Sequence, residues 1–478
     1  MVVYVGLLFR GDWLLSEDDT YWHIATGQWI FEHHTVPTRD PFSHTMLGSP
    51  WTAHEWLSEV LMATGYEQLG WTGVVALTAL AFASALGLLT KTLLKNMEPI
   101  YGLLFAAVAI AMTAGHMHAR PHILAMPFMM IWTIGLVNAS ESGRAPPLWL
   151  LPVMTIWANL HGGFTLGLAL TFAFGFEAIL NSRSEKRLPN TVASWVSFAI
   201  LAVGSSILTP QGMQGIYFTW HIMFDQKYAL DVISEWQSPN FHFIQPLEFW
   251  LLGGLAIVLQ KGLTLPPIRL LLILGLLHLS LKHARNIELL GFLAPLFFAT
   301  PFAKQWRSRQ EPQKNAESLD RFFRKLGQPA GKAAVLATFG ALILLTLWFA
   351  KTNPPQPPDS TSVATSLAKV REAGVTGPVL NFSALGGYLI FHGIPPFIDG
   401  RSDMYKDDFY KTYIEALTLT DPAGFEKLTD KYQIEWTLLK PPLAAITLMD
   451  NLPNWKRLYA DKNVVVHVRS VPTGSSAK

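Results

Sequence analysis

Between residues 72 and 350 the sequence keeps returning to apolar runs long enough to cross a bilayer, and nothing else in it constrains the fold as strongly. A hydrocarbon core needs about 20 apolar residues as helix. Runs of that kind fall at roughly 72–94, 100–117, 121–139, 147–160, 163–181, 191–209, 246–260, 266–281, 286–302 and 333–350. Pro127, Pro152 and Pro295 lie inside them, which membrane helices tolerate. The apolar first 15 residues contain Arg10 and lack a small-residue cleavage site after them, so they read as a short first span rather than a removed signal peptide. The expectation is an α-helical polytopic membrane protein of about 11 spans. Composition agrees: 50% of residues are hydrophobic and 15% charged, with a mean hydropathy of +0.27. A net charge of +2 without a basic stripe argues against a nucleic-acid partner. The absence of Cys removes disulfides, thiolate metal sites and Cys nucleophiles.

Threading the chain back and forth sorts its loops into two sets. One holds Lys91, Lys95, Arg144, Arg183, Lys186, Arg187, Lys261 and the basic 303–332 segment. Short positive loops mark the cytoplasmic side, so this set is inside. The other set is outside: residues 17–70, HMHARPH at 116–122, the 210–245 loop, KHARN at 282–286 and everything after 352. The polar motifs that fit a membrane protein least all fall on that outer face. They are Asp18-Asp19, His54-Glu55-Trp56, His116/His118/Arg120/His122, Asn159-Leu160-His161-Gly162-Gly163, Glu235-Trp236-Gln237-Ser238-Pro239-Asn240 and Lys282/His283/Arg285/Asn286. A single His at a helix end is usually interfacial. Six polar clusters converging on one face point to a shared site, because ionisable groups near membrane depth are costly unless they face a cavity or one another.

The densest stretch is 17–59, EDDTYWHIATGQWIFEHHTVPTRDPFSHTMLGSPWTAHEWLSE. It reads as two short helices at the membrane surface, roughly 21–33 and 53–68, joined by a loop with Pro37, Pro41, Gly48 and Pro50. The plainer reading is an interfacial belt of Trp anchors with solvated acids.

After the last span, NPPQPPDSTS in 351–364 is a Pro-rich linker, and 365–478 reads as a small extracytoplasmic α/β domain. The runs PVLNF, GYLIF, PFIDG, EWTLL and NVVVHV look like strands, and roughly 405–417 and 421–432 look helical, the second capped by Thr420-Asp421-Pro422. The tail holds no G-x-G-x-x-G, P-loop, nucleophile elbow or HExxH. Asp399-Gly400-Arg401-Ser402-Asp403 is either a functional loop or a turn capped by its own Asp side chains.

Arg120 and Arg285 offer delocalised charge suited to bidentate phosphate binding. Asp18, Asp19 or Glu55 has the chemistry to deprotonate a hydroxyl or to hold a divalent cation against phosphate oxygens. His54, His161 or His283 has the pKa for either role near neutral pH. The plain reading of each Arg is a snorkelling helix end.

At these residues the chain resembles the GT-C class of glycosyltransferases, multi-span enzymes that use polyprenyl-phosphate-linked sugars. Within that class the series DDTYWHIATGQWI, PTRDPFSHT, WTAHEWLSE, ARPH, WANLHGGF, ARN and PFIDGRSDMY resembles a group of bacterial GT-C-like membrane proteins, over nearly the whole chain. The resemblance implies a GT-C-like domain over 1–350, including an outer loop at 16–70. It also implies that Asp19 or Asp18 is the general base; Asp19 is preferred because it lies closest to the following Trp-His helix. Glu55 and His54 would form the second acid/His position. Arg120 and Arg285 would hold the donor phosphate, with His122, His161 and His283 lining the pocket. Such enzymes usually invert the anomeric carbon by direct displacement. The implied location is a bacterial inner membrane, with a polyprenyl-phosphate sugar as donor and a glycan, lipid or protein as acceptor. Metal use stays open: Mg or Mn, if used, would sit on Asp18 and Asp19, although adjacency turns their side chains apart unless they lie in a loop. Two other classes compete, a transporter or flippase for a lipid-linked or anionic solute and a non-catalytic cell-envelope assembly protein. Transporters favour midplane charges and internal repeats, which the sequence does not show.

Overall fold

The computed structural model describes residues 1–182, 188–224, 228–307, 322, 328 and 330–470. The chain starts with α1 (Val2–Phe9), α2 (Gly11–Leu14), α3 (Asp19–His33) and α4 (Trp56–Leu69). A bundle follows: α5 (Trp71–Asn96), α6 (Pro99–Thr113), α7 (Pro121–Ser142), α8 (Leu150–Leu160), α9 (Phe164–Asn181) and α10 (Leu188–Ser206). After α11 (Gln214–Phe224) and α12 (Tyr228–Val232) it resumes with α13 (Pro246–Lys261), α14 (Pro267–Lys282), α15 (Ile287–Arg307) and α16 (Lys332–Thr352). Arg183, Lys186, Arg187 and most of 303–332, all assigned to basic loops above, lie outside the described residues.

Seven of the described helices, α5, α6, α7, α9, α10, α15 and α16, are long and apolar enough to cross a membrane. The protein is a multi-pass membrane protein. The other four expected spans are shorter helices: α1 has 8 residues, α8 has 11, and α13 and α14 have 16 each. Sixteen residues rise about 24 Å, less than the hydrocarbon thickness. Two of these short helices, α8 and α14, stop at His161 and His283, so polar side chains begin where further helical turns would continue.

The bundle is packed on aromatic side chains, with Phe82, Trp132, Trp157, Phe174, Phe292 and Phe297 fully buried. Large apolar side chains also point outward, Ile200 at 66%, Leu336 at 72% and Leu259 at 76% exposure. In water such a surface would aggregate; against acyl chains it is the lipid-facing wall. One charge lies deep in the bundle. Arg269, at the start of α14, donates to Glu141 at 2.7 Å, to both carboxylate oxygens of Glu177 at 3.1 and 3.2 Å, and to the Phe297 carbonyl at 3.3 Å. Full pairing is what makes a buried guanidinium tolerable.

The two surface helices form as α3 and α4, within a few residues of the expected bounds. They cross at Gly27, where a side-chain carbon would run into the Glu59 carbonyl. α3 is buried from Asp19 to Gly27, because the C-terminal region lies on it, so its acids are not solvated as an interfacial belt would have them. Tyr21 meets Tyr388 and Trp71 with ring centroids 5.0 and 5.1 Å apart.

The C-terminal region contains α17 (Ala364–Glu372), α18 (Gly386–Phe391), α19 (Asp407–Thr418), α20 (Gly424–Lys431) and α21 (Ala444–Asn451). Its sheet has β1 (Val379–Asn381), β2 (Trp436–Leu439), β3 (Trp455–Ala460) and β4 (Val465–Arg469) in the order β1-β2-β4-β3. β1 runs parallel to β2 with Val379 opposite Trp436; the other pairs are antiparallel. Two expected strands are corrected. GYLIF is helix α18, an apolar run too short for periodicity to separate strand from buried helix. PFIDG is irregular backbone, because its carbonyls and amides bond to side chains: Asn381 donates to the Ile398 carbonyl at 2.7 Å and accepts from the Phe397 amide at 2.8 Å. β3 went unforeseen because WKRLYA alternates too weakly.

Candidate active site

The site grows from a proline. Because Pro121 opens α7, Arg120 is held in extended backbone (φ −132°, ψ 159°), and its side chain leaves the helix direction. The same segment is tied to α2 and the start of α3, since the Ala119 amide donates to the Leu14 carbonyl at 2.8 Å and Thr20 Oγ1 donates to the Ala119 carbonyl at 3.0 Å. Arg120 is thereby set beside the first turn of α3. Its guanidinium pairs with Asp19, with Glu17 Oε1 at 3.0 Å and with Glu235 Oε2 at 2.9 Å. Asp19 Oδ1 also accepts the Trp22 indole N–H at 2.9 Å. Glu235 then bridges onward, to Arg285 at 3.1 Å and to His116 Nε2 at 2.9 Å. Arg285 stacks over Trp236, 4.4 Å from the ring centroid.

A second cluster surrounds Glu55. Trp56 Nε1 donates to Asn159 Oδ1 and Ser58 Oγ to the Leu160 carbonyl, each at 2.7 Å, which docks the start of α4 on the end of α8. Glu55 accordingly lies 3.4 Å from His161 Nε2, 3.6 Å from His54 Nε2 and 3.9 Å from His23 Nε2. Behind it, His23 Nδ1 is 3.5 Å from Glu59 Oε1, and both residues are 1% exposed.

Burial dominates the electrostatics. It pushes Glu55 up to about 7 against the opposing pull of Arg120 and Arg285, and Glu17 up to about 7 against Arg120. Burial also drives His23 and His161 well below the ordinary imidazole value, so both are neutral at pH 7. Glu235 is the exception: burial would raise it, yet Arg120 and Arg285 hold it well below the usual carboxylate range. Asp403, reaching in from the C-terminal region, is raised by burial to about 6, with His54 and Arg401 opposing.

Of the expected site residues, Asp19, Arg120 and Arg285 share the first cluster and Glu55, His54 and His161 the second. His122 stands between them, its ring 6.2 Å from His161 and 4.5 Å from His116. Two depart from expectation. Asp18 makes no ion pair with Arg120; burial, reinforced by Asp19 and Glu17, pushes its carboxyl well up, with Lys440 of the C-terminal region opposing. His283 bonds through Nδ1 to the Trp236 carbonyl at 2.5 Å, which makes it a strut for the Glu235 loop. Sequence reasoning missed Glu17, Glu235 as an ion-pair hub, Glu288, His23, Glu59 and Asp403. Glu17 adjoins the acidic pair and Glu235 opens an outer-loop motif, so a charge-by-charge reading of those loops was the available signal.

Among the described residues, the group with metal-ligand geometry is His116, His122 and Glu288, with ligand atoms all within 4.8 Å of one another. Asp18 and Asp19 do not belong to it. His116 Nδ1 and Glu288 Oε2 are buried and face each other at 3.5 Å with no nearer hydrogen-bond partner, an ion pair that a bound cation would have to replace. Two imidazoles and a carboxylate suit zinc or a similar borderline cation more than the Mg or Mn expected of paired carboxylates.

This architecture has counterparts among solved structures. Oligosaccharyltransferase AglB from Archaeoglobus fulgidus, in complex with an inhibitory peptide and a dolichol-phosphate, matches with a TM-score of 0.53 at 10% identity, over 92% of this chain and 68% of that one. Its apo form gives 0.55 at 9% identity, over 91% and 69%. ArnT from Cupriavidus metallidurans bound to undecaprenyl phosphate gives 0.50 at 12% identity, over 100% and 99%. The fold is that of the GT-C glycosyltransferases. No protein-family model matches the sequence, and no curated protein does either. At such identities the likeness is one of fold. Within this fold Glu17 and Asp19 meet Arg120, and Glu235 links Arg120 to Arg285.

Proposed function

We propose that the protein is a membrane glycosyltransferase that moves a sugar from a polyprenyl-phosphate donor to an acceptor hydroxyl, with inversion, at the outer face of a bacterial inner membrane. The C-terminal domain stands on that outer side. The observation that carries this reading is the chain of ion pairs Asp19–Arg120–Glu235–Arg285 inside a GT-C fold. It places a carboxylate next to the cationic pair that a departing phosphate needs.

In the resting arrangement both guanidiniums are paired to carboxylates. The donor phosphate competes for them, and its arrival frees Asp19 from Arg120. Asp19 then takes the proton of the acceptor hydroxyl as the oxygen bonds to the anomeric carbon. The bond from that carbon to the phosphate oxygen breaks, and its electron pair leaves on the polyprenyl phosphate, held by Arg120 and Arg285. Glu55, with His54 and His161, faces the acceptor side. His116, His122 and Glu288 are the residues that would hold a divalent cation, which would supply further positive charge beside the phosphate.

The test uses purified protein in nanodiscs with a panel of radiolabelled polyprenyl-phosphate sugars, alongside Asp18→Asn, Asp19→Asn and Glu55→Gln. Turnover of one donor, lost in Asp19→Asn while donor still binds, supports the reading. If no donor binds and all three variants complement a deletion strain, transport or assembly takes its place.

A further inference from the structure

The C-terminal region touches the acidic pair through glycines. A side-chain carbon on Gly400 would overlap Asp19 Oδ1 and stand 3.0 Å from both Asp19 Cγ and Trp22 Nε1. One on Gly387 would overlap the Asp18 carbonyl and stand 3.3 Å from Trp22 Cδ1. Gly400 does not have the positive φ that favours glycine, so what it supplies is room for close approach rather than a special torsion.

The turn that carries Gly400 is stiff. Asp399 accepts from the Arg401 amide at 3.0 Å, from Arg401 Nε at 2.8 Å and Nη2 at 2.7 Å, and from the Tyr405 hydroxyl at 2.8 Å. Arg401 Nη1 reaches Asp40 at 2.8 Å, and the guanidinium lies 4.6 Å from the Trp51 ring and 5.1 Å from Phe42. Every charged side chain of this knot is 0% exposed. A turn anchored on both sides cannot yield easily, so the carboxylate pressed against it is fixed by it.

We propose that Gly400 is a positioning residue for Asp19: the backbone of the Asp399–Arg401 turn forms the wall that sets where this carboxylate sits and holds its Oδ1 on the Trp22 indole, whether Arg120 is paired to Asp19 or to the donor phosphate. The soluble region is thereby part of the site rather than an appendage. The activity arm of the test rests on the glycosyltransferase reading; the stability arm does not.

The experiment compares Gly400→Ala with Gly377→Ala, whose φ of +93° strains any side chain and whose added carbon would meet Glu435 elsewhere in the same domain. Each is made in the full-length protein and again in an Asp19→Ala background, with Asp19→Ser as a second background. Thermal unfolding and turnover of the active donor are read. Gly400→Ala is expected to lower the unfolding temperature in the parent and to lower it much less once Asp19 is truncated. Gly377→Ala is expected to destabilise equally in both. Gly400→Ala is also expected to reduce kcat at least about tenfold with the donor KM unchanged, since sub-ångström misplacement of a reacting group is that costly. Equal destabilisation by Gly400→Ala with and without the Asp19 carboxylate overturns the proposal. So does an unchanged kcat in an active protein. If no donor turns over, the thermal coupling between positions 19 and 400 still decides whether the contact exists.

Discussion

Arg401 and Asp40 stand 361 positions apart in sequence and 2.8 Å apart in space, with both side chains at 0% exposure. Asp40 also gathers the Phe42 and Ser43 amides at 3.0 and 3.1 Å and the Ser43 hydroxyl at 2.5 Å. The pair clasps the loop between α3 and α4 to the C-terminal domain.

Removing one member of that clasp strands the others. Arg401→Met leaves Asp40 and Asp399 buried without their cation, a change worth about 3–5 kcal/mol. We expect a large drop in unfolding temperature and protease cleavage within 37–50. Arg401→Lys is expected to recover little, because an ammonium supplies neither the fork to two carboxylates nor the stacking on Trp51.

The two acids differ in role. Asp19→Asn is expected to lower kcat by about 100-fold or more while polyprenyl-phosphate sugar still binds. Glu55→Gln is expected to cost less and to change the pH profile instead. Glu55 is held near 7, so the parent should show a limb there that the Gln variant lacks. Rate against pH for the three proteins checks this.

Glu17 shares Arg120 with the incoming phosphate. With its carboxyl at about 7, it is protonated below that pH and then no longer competes for the guanidinium. The donor is a phosphodiester whose charge is constant through this range, so its affinity should fall as pH rises through 7. Glu17→Gln should bind donor more tightly at pH 8 and show a flatter dependence. Titrating donor binding from pH 6 to pH 8.5 reads both.

If His116, His122 and Glu288 hold a cation, the protein should retain about one zinc equivalent through purification. His116→Ala and Glu288→Gln should each lower that content, whereas Asp18→Asn should not. Elemental analysis measures this independently of turnover.

Much of this arrangement was legible in the sequence because membranes restrict chains so strongly. Alternating apolar runs fixed which loops share a face, and the loops carrying Asp19, Glu55, Arg120, His161 and Arg285 do meet. Chemistry local to one motif was harder to place. Asp18 and Asp19 are equivalent by composition, and only the packing separates the carboxyl that pairs with Arg120 from the one that does not. His283 and Arg285 lie two residues apart in a tight turn, so one becomes a strut while the other reaches Glu235. The Arg401–Asp40 pair had no local signal. Each half reads as an ordinary Asp turn, and its partner is the other half.

The clasp also sets a timetable. Asp40 precedes and Arg401 follows all seven helices long enough to cross a membrane, so one leaves the ribosome before them and the other after them. The loop between α3 and α4 therefore cannot take its final form until all of those helices have been made. Chains that stop short of Arg401 would reach the bilayer with Asp40 unpaired and that loop unclasped.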